Sequence, residues 1–143
     1  MKRILILNGP NLNLLGKRQP EIYGTIPFEV FFEQLKKQFP QTQLEYFQSN
    51  HEGDLIDKLQ QADGRFDAVI FNPAAYTHTS IALRDTVSAI EIPVVEVHIS
   101  NIHEREDFRK ISYIKDVVKF RVIGKGLAGY KEALEKILLE IEG

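Results

Sequence analysis

The residues best suited to chemistry in this chain follow three short apolar runs. Amides, hydroxyls, imidazoles and guanidinium groups collect there, and three of the four histidines fall in these segments. A phenol combined with imidazoles, amides and arginines is suited to moving protons on a small anion. The candidates are Asn8, Asn11, Arg18 and Tyr23 after the first run, Asn72 and His78 after the second, and Glu96, His98, Ser100, His103, Arg105 and Arg109 at the third.

Tyr23 is a candidate base, although a free phenol has a pKa of about 10 and is mostly protonated at neutral pH. A guanidinium about 4 Å away contributes at most about 4 kcal/mol at an effective dielectric of about 20, which is nearly three pKa units. Solvent screening reduces this effect, but a shift of about one to two units still leaves a useful phenolate fraction. We therefore predict that Arg18 and Tyr23 fold towards each other.

Both residues belong to the connection "NGPNLNLLGKRQPEIYG", residues 8–24. Most connections in compact domains run to about 4–6 residues, so one this long is generally either functional or disordered. The presence of Arg18 and Tyr23 favours the functional alternative. We predict that the segment is a lid that carries the base.

Five short apolar runs are predicted to be strands, and they alternate with helical patterns. Alternation of this kind favours a parallel sheet with right-handed crossovers and helices on both faces. We predict a flavodoxin-like, doubly wound α/β fold with strand order 2-1-3-4-5. Ligands of such sheets bind beyond the carboxyl ends of the strands, where the candidate residues are expected. The runs are residues 4–7, 44–47, 68–71, 94–97 and 117–123, the last interrupted by Lys119 and Arg121.

Cap residues and prolines predict where the helices begin and end. Thr25 is the predicted cap of the first helical pattern, with Pro27 in its first turn and Pro40 as its stop. Hydroxyl groups in "THTS" precede the third pattern, and the last one occupies "GLAGYKEALEKILLEIEG". For the second pattern, the predicted cap is Ser49 or Asn50 and the predicted end is Gly64.

Length and composition restrict the class of protein. A chain of 143 residues is near the size of one domain and can bury a core without disulfides. The net charge of −2 gives no general attraction for nucleic acid or an anionic membrane, and the absence of Cys excludes thiolate chemistry. Residues 4–7 are too short a run for a signal-peptide core or a membrane span. We therefore predict one catalytic domain, residues 1–143, in the cytoplasm.

Several other kinds of site have little support. No GxGxxG, P-loop or GxSxG motif occurs in the chain. A metal site formed by Glu96, His98 and His103 lacks the regular ligand spacings. Residues 8–10 also suit an ordinary turn, and His51 beside a helix start suits a structural role.

The residues alone leave two functional alternatives open. One is a non-catalytic flavodoxin-like module that binds a flavin or acts as a receiver. A receiver would need an acidic cluster after the first strand, and a flavin site would need a hydroxyl-rich phosphate loop, whereas amides and basic residues follow this strand. The other alternative is an enzyme acting on a different small hydroxy acid, or a homologue without activity.

Five long segments, in order along almost the whole chain, carry a family resemblance. They are "LNGPNLNLLGKRQPEIYG", "QSNHEGDLID", "FNPAAYTHTSIALRD", "VEVHISNIHEREDFRKISY" and "GKGLAGY". The chain resembles the type II 3-dehydroquinate dehydratases, also called type II dehydroquinases. The resemblance implies a flavodoxin-like hydro-lyase that converts 3-dehydroquinate to 3-dehydroshikimate, on the route to chorismate and the aromatic amino acids. It implies no cofactor, metal or Schiff base.

The resemblance also implies a role for each candidate. Tyr23 would take a proton from the carbon beside the ketone, with its pKa lowered by Arg18, and an enolate-like species would follow. His98, positioned by Glu96 and Asn72, would protonate the departing hydroxyl. The remaining roles are a water held by Asn11, carboxylate binding by the Ile99 backbone and Ser100, ring-hydroxyl contacts from His78 and Arg109, and lid closure by Arg105.

Asp85 matches a residue that family members insert into a neighbouring subunit's site. This match implies a trimer, usually assembled further into a dodecamer of four trimers. The sequence departs from the family pattern at Gln19, where Glu is expected in the lid, and at Ala74, where Gly is common after Asn-Pro.

Overall fold

The computed structural model describes residues 1–17 and 20–142. Arg18, Gln19 and Gly143 lie outside the described residues, as do the side chains of Ile22 and Tyr23. Within the described residues, five parallel strands form one sheet in the order β2-β1-β3-β4-β5, which confirms the predicted flavodoxin-like order. The strands are β1 (Lys2–Asn8), β2 (Thr42–Gln48), β3 (Ala68–Asn72), β4 (Val94–His98) and β5 (Arg121–Ile123).

Helices cover both faces of the sheet, as predicted. They are α1 (Pro20–Tyr23), α2 (Phe28–Gln38), α3 (Glu52–Ala62), α4 (Ile81–Ala89) and α5 (Ala128–Glu142). Ile4 and Ile6 of β1 pack in the core under α2 and α5, whereas Leu5 and Leu7 pack under α3 and α4. Successive strand side chains point to opposite faces, so one continuous apolar run contributes to both core layers. Among the described residues, no helix is both long and apolar enough to span a bilayer.

Helix α2 begins later than its predicted cap. Pro27, not Thr25, is the N-cap, and its backbone is extended with φ −60° and ψ 146°. The residue before a proline is disfavoured in the helical region, so Ile26 cannot extend the helix backwards. The same effect acts at the other end, where Phe39 precedes Pro40 and leaves the helix, as predicted.

The predicted caps of helix α3 are wrong. His51 is the N-cap and makes no side-chain capping bond. The Ser49 hydroxyl donates to Asp54 at 2.8 Å, and Asn50 Oδ1 accepts from the Asn11 backbone N–H at 3.0 Å. Asn50 is therefore used to attach the loop after β1.

Strand β5 is shorter than the apolar run that predicted it. Only Arg121–Ile123 forms the strand, paired with β4 in the register Glu96↔Arg121 and His98↔Ile123. Val117 and Val118 pack against the core without joining the sheet. Burial, not strand pairing, explains why these two valines are apolar.

The switch in strand order lies at the carboxyl end of β1, between β2 and β3. The Gly9 N–H donates to the Asn72 carbonyl at 2.8 Å, and the Ser49 N–H donates to the Asn8 carbonyl at 3.1 Å. A Cβ on Gly9 would lie 2.4 Å from the Pro73 carbonyl oxygen, so only glycine fits there. The loop that follows β1 thus starts from a fixed point beside β3.

Candidate active site

A pocket of about 120 Å³ lies beyond the carboxyl ends of β1, β3 and β4. Three 3₁₀-helical turns, Ala74–His78, Ile102–Glu104 and Asp107–Arg109, follow β3 and β4 and help to enclose it. Most of the candidate residues from the sequence meet there. They are Asn11, Asn72, His78, His98, Ile99, Ser100, Arg105 and Arg109, joined by Pro10, Leu12, Ala74, Ala75 and Ile102.

His98 and Glu96 form a buried pair at the end of β4. His98 Nε2 lies 2.5 Å from Glu96 Oε2, and the two side chains are 5% and 0% exposed. They stand two residues apart on one strand, so both point to the same face of the sheet. His98 reaches the pocket, whereas Glu96 lies beneath it.

Glu96 accepts hydrogen bonds from three further side chains. Thr77 Oγ1 donates at 2.9 Å, Ser112 Oγ at 3.0 Å and Arg121 Nε at 2.9 Å. Burial by itself would raise the pKa of Glu96, but the hydrogen bond and charge of His98, with the charge of Arg121 and the Thr77 bond, lower it to about 2. Glu96 is therefore an ionised acceptor.

His78 lies beside His98 across the pocket. Their ring centroids are 6.5 Å apart with the planes 26° from parallel, and His78 Nδ1 donates to the Ile111 carbonyl at 2.6 Å. Burial lowers the pKa of His78, and the charges of His98 and Arg109 lower it further against the opposing effect of the Ile111 bond. Nδ1 carries its hydrogen, so Nε2 of neutral His78 is an acceptor.

Two arginines give the pocket its positive charge. Arg109 Nε lies 2.6 Å from Glu106 Oε2, and Arg105 Nη1 lies 3.5 Å from Ser100 Oγ. Both side chains are half-buried and come from the segment after β4. A small anion is the ligand that such a pair favours.

Asn72 is fixed from behind the pocket by the buried Tyr130 of α5. Asn72 Nδ2 donates to the Tyr130 hydroxyl at 2.9 Å, which in turn donates to Asn8 Oδ1 at 2.8 Å. Asn72 Oδ1 accepts from the Ala74 N–H at 3.0 Å. These bonds leave the Asn72 amide little freedom to rotate.

Two residues at the pocket have left-handed backbones. Asn11 has φ 69° and Ala74 has φ 54°. Asn tolerates this region, but an alanine there is strained by about 1–2 kcal/mol relative to a glycine. The departure from the family pattern at Ala74 therefore falls at a backbone position that favours Gly.

The remaining sequence candidates either lie outside the pocket lining or fall outside the described residues. Asp85 is exposed on α4 and does not line the pocket. Arg18 and the side chain of Tyr23 lie outside the described residues. His103 is exposed, and no three His, Asp or Glu residues converge on a metal-sized site in the described part of the chain. The open metal alternative with Glu96, His98 and His103 is therefore not formed there.

A larger cavity of about 640 Å³ lies beside the start of β4, away from the carboxyl end of that strand. It is lined mainly by valine and isoleucine between α4 and α5, with Glu91, Asp116, Lys119 and Glu140 among its polar groups. It contains no histidine or arginine. Size alone therefore does not indicate where the chemistry occurs.

The sequence analysis did not identify the residues that hold Glu96 and Asn72 in place. Thr77, Ser112 and Arg121 contact Glu96, and Tyr130 holds Asn72. Arg121 gave one signal, since it is a charged residue inside an apolar run. Thr77 was assigned only to helix capping, and Ser112 carried no signal.

Comparison with known proteins assigns the family. Residues 2–138 match the family model described as dehydroquinase class II. The chain belongs to the class II dehydroquinase family. The matched range of this class II dehydroquinase includes every residue that lines the pocket and every partner of Glu96.

Individual relatives agree with this assignment. A protein of Bacillus licheniformis named 3-dehydroquinate dehydratase is 54% identical over 137 residues, covering 94% of each chain. A protein of Emericella nidulans named catabolic 3-dehydroquinase is 47% identical over 143 residues, covering 99% of this chain and 94% of its own. The crystal structure of a type II dehydroquinase from Butyrivibrio crossotus has a TM-score of 0.92 at 42% identity, covering 95% of this chain and 97% of its own. Because its curated relatives are named dehydratases or dehydroquinases, this class II dehydroquinase is a hydro-lyase.

Proposed function

We propose that this enzyme removes water reversibly from 3-dehydroquinate to give 3-dehydroshikimate, through an enolate and without a cofactor or Schiff base. The observation that carries the proposal is the buried His98–Glu96 pair facing a pocket that Arg105 and Arg109 make positive. Its family and the names of its relatives support the substrate.

His98 is the proposed acid. Glu96 is ionised and has only acceptor sites, so His98 Nε2 carries a hydrogen and donates it to Glu96. This bond fixes the tautomer and the ring orientation, and it stabilises the imidazolium before proton transfer. The departing hydroxyl then takes its proton from the other ring nitrogen, Nδ1.

Tyr23 is the proposed base, assisted by Arg18. The C–H beside a ketone is already acidified, so a phenolate next to a guanidinium is a sufficient base. Both residues belong to the segment that follows Gly9, which starts at the pocket. Base and acid therefore come from the loops after β1 and β4 respectively.

The other pocket residues are proposed to bind the substrate. Asn11 holds a water that stabilises the enolate oxygen, and the Ile99 backbone with Ser100 binds the carboxylate. Asn72 binds the substrate and helps to position His98, His78 and Arg109 contact the ring hydroxyls, and Arg105 closes over the lid. The preorganisation of Asn72 by Tyr130 supports this role, because a fixed amide does not have to reorganise during the reaction.

An imine mechanism finds no support in the pocket. None of the described lysines lines it. The proposed reaction needs a base, an acid and stabilisation of the enolate charge, all of which side chains can supply. We place the reaction in the shikimate pathway, on the route to chorismate.

We further propose that the chain is one catalytic domain that works as a homo-oligomer, with Asp85 reaching a neighbouring subunit. Asp85 is exposed on α4, one helical turn after the exposed Ile81. Ile111 and Tyr113 are held against the start of α4, because the Tyr113 N–H donates to the Thr77 carbonyl and Arg84 Nη1 donates to the Tyr113 carbonyl. The exposed fractions are 58% for Ile81, 64% for Phe108, 54% for Ile111 and 37% for Tyr113.

An absorbance assay tests the proposed activity. The purified enzyme should convert 3-dehydroquinate to a product that absorbs as a conjugated enone. Activity should survive treatment with borohydride in the presence of substrate, because no imine forms. Absence of turnover would contradict the assigned function, and inactivation by borohydride would contradict the mechanism.

A further inference from the structure

Arg121 stands directly beside Glu96 in the sheet. The two residues are register partners on the adjacent strands β4 and β5, so their side chains leave the same face. Arg121 Nε lies 2.9 Å from Glu96 Oε1, on the opposite carboxylate oxygen from His98. The Glu96 carboxylate thus contacts a guanidinium with one oxygen and an imidazole with the other.

The guanidinium of Arg121 is held at Glu96. Its side chain is 21% exposed, and Glu96 is the hydrogen-bond partner found for it among the described residues. Its Nη2 atom is buried without a hydrogen-bond partner in that part of the chain. A buried donor without a partner is unfavourable, so the charge interaction with Glu96 must hold the side chain in place.

The positive charge of Arg121 opposes the stabilisation that the negative charge of Glu96 gives to the His98 imidazolium. A buried carboxylate whose only charged partner is an imidazole holds the imidazolium proton tightly and makes it a poor acid. A guanidinium on the same carboxylate neutralises part of its charge and also repels the imidazolium. We propose that Arg121 is a positioning residue that, by this partial neutralisation of Glu96, weakens the hold of Glu96 on the His98 imidazolium.

The hydroxyls of Thr77 and Ser112 complete the arrangement. They donate to Glu96 and are neutral, so they hold the carboxylate in place without changing the charge balance. Arg121 is therefore the described partner, besides His98 itself, whose charge weakens the stabilisation of the His98 imidazolium by Glu96. Among the described residues, the other charged or titratable groups that face His98 are His78 from the turn after β3, and Arg105 and Arg109 from the segment after β4.

The inference rests on the proposed role of His98 as the acid, but it can be tested without any turnover. Deuterium exchange at the imidazole C2 position, followed by mass spectrometry across pH, gives the protonation midpoint of each histidine. We expect Arg121→Gln to raise the midpoint of His98 by about one pH unit, the size expected for removing one partly screened charge. The Gln amide can still donate to Glu96, so the substitution removes charge more than hydrogen bonding.

Two matched variants separate charge from other effects. Arg121→Lys keeps the charge and should leave the His98 midpoint within a few tenths of a unit of wild type. Lys119→Gln removes a positive charge from the same segment, but Lys119 contacts Glu140 at 3.6 Å and should have no effect. The midpoint of exposed His51 serves as an internal reference in every variant.

An unchanged His98 midpoint in folded Arg121→Gln would overturn the inference. Equal shifts in Arg121→Gln and Arg121→Lys would also overturn it, because the effect would then come from side-chain shape. Arg121→Met is a second neutral variant, and unfolding of both neutral variants would overturn the inference, because Arg121 would then be a structural residue of the sheet. A shift in an enzyme that does not dehydrate 3-dehydroquinate would refute the proposed function alone.

Discussion

At the scale of single residues, the Glu96 carboxylate is a buried charge that several hydrogen bonds hold in place. Its side chain is fully buried and is held by hydrogen-bond donors from a turn, a loop, a neighbouring strand and its own strand. An ionised carboxylate needs such partners when it is removed from water. Loss of its charge therefore affects both stability and the state of His98.

Stability should depend on pH through this residue. The pKa of Glu96 is about 2 in the folded chain against an ordinary value of 4.5. Between these values the unfolded carboxyl binds a proton that the folded one does not, so stability rises with pH and is lost as pH falls. We expect the free energy of unfolding of wild type to fall by about 3 kcal/mol more than that of Glu96→Gln between pH 5 and pH 2. Urea unfolding at constant protein concentration measures this difference.

Glu135→Gln is the matched control for this measurement. It removes a carboxylate that is exposed to solvent on α5, where water screens charge. Its stability should follow the pH dependence of wild type. Equal pH dependence in wild type and Glu96→Gln would contradict the assignment of Glu96 as a buried anion.

The sequence predicted single residues well where position along a strand was sufficient. His98 and Asn72 were found because they end apolar runs, and parallel strands bring their carboxyl ends together. Arg121 and Ser112 were not found, because their contacts depend on the pairing register of β5 and on the path of a loop. Neither is encoded in local periodicity.

The loop after β1 is the element on which the site depends most. It starts at Gly9, which is bonded to β3 and lies too close to Pro73 for any side chain. Asn50 then holds the Asn11 backbone from the start of α3. The loop that carries the proposed base is thus fixed at two points before it leaves the sheet.

Gly9→Ala tests that attachment. The new Cβ would lie 2.4 Å from a backbone carbonyl that cannot rotate away, so we expect a loss of about 2–3 kcal/mol in the free energy of unfolding. Gly53→Ala is the control, because its Cβ would meet nothing within 4 Å and it lies in α3. That variant should gain up to about 1 kcal/mol. Equal stability of the two variants in thermal or urea unfolding would show that the close approach at Gly9 is not restrictive.

The types and order of the helices and strands were predicted correctly, but the residues at which they begin and end were predicted less well. The continuous apolar runs and the helical spacing were enough for the doubly wound sheet. The predicted start of α3 was wrong because the Ser49 hydroxyl binds Asp54 and the His51 N–H, and the Asn50 amide binds the distant Asn11 N–H, so neither side chain is the N-cap. Such competition for one side chain is decided by the folded neighbours, which a local pattern does not contain.

The exposed face around α4 is the main feature at the scale of the whole molecule. Ile81, which is one helical turn before Asp85 on α4, and Ile111 are both more than half exposed. Apolar side chains that share an exposed face often mark a protein interface. The sequence could not predict this face. Helical spacing identifies the buried side of a helix, but it does not identify which exposed side would contact another subunit.

Two substitutions separate assembly from catalysis. If the proposed interface forms, Ile111→Glu should break it, and the native mass by light scattering should fall together with turnover. Asp85→Asn should keep the mass of wild type while lowering turnover, because only the inserted carboxylate is lost. Lys110→Glu is a control, since it changes an exposed charge next to Ile111 without removing apolar surface. A wild-type chain that is monomeric and fully active would contradict the proposed shared site.

The most direct test of the central claim is the turnover number of His98→Asn on 3-dehydroquinate, measured by formation of the enone. Asn cannot supply a proton, so kcat should fall by about 10²–10⁴ while circular dichroism and native mass match wild type. A folded His98→Asn variant with near-normal kcat would contradict the claim that His98, held by Glu96, protonates the leaving hydroxyl.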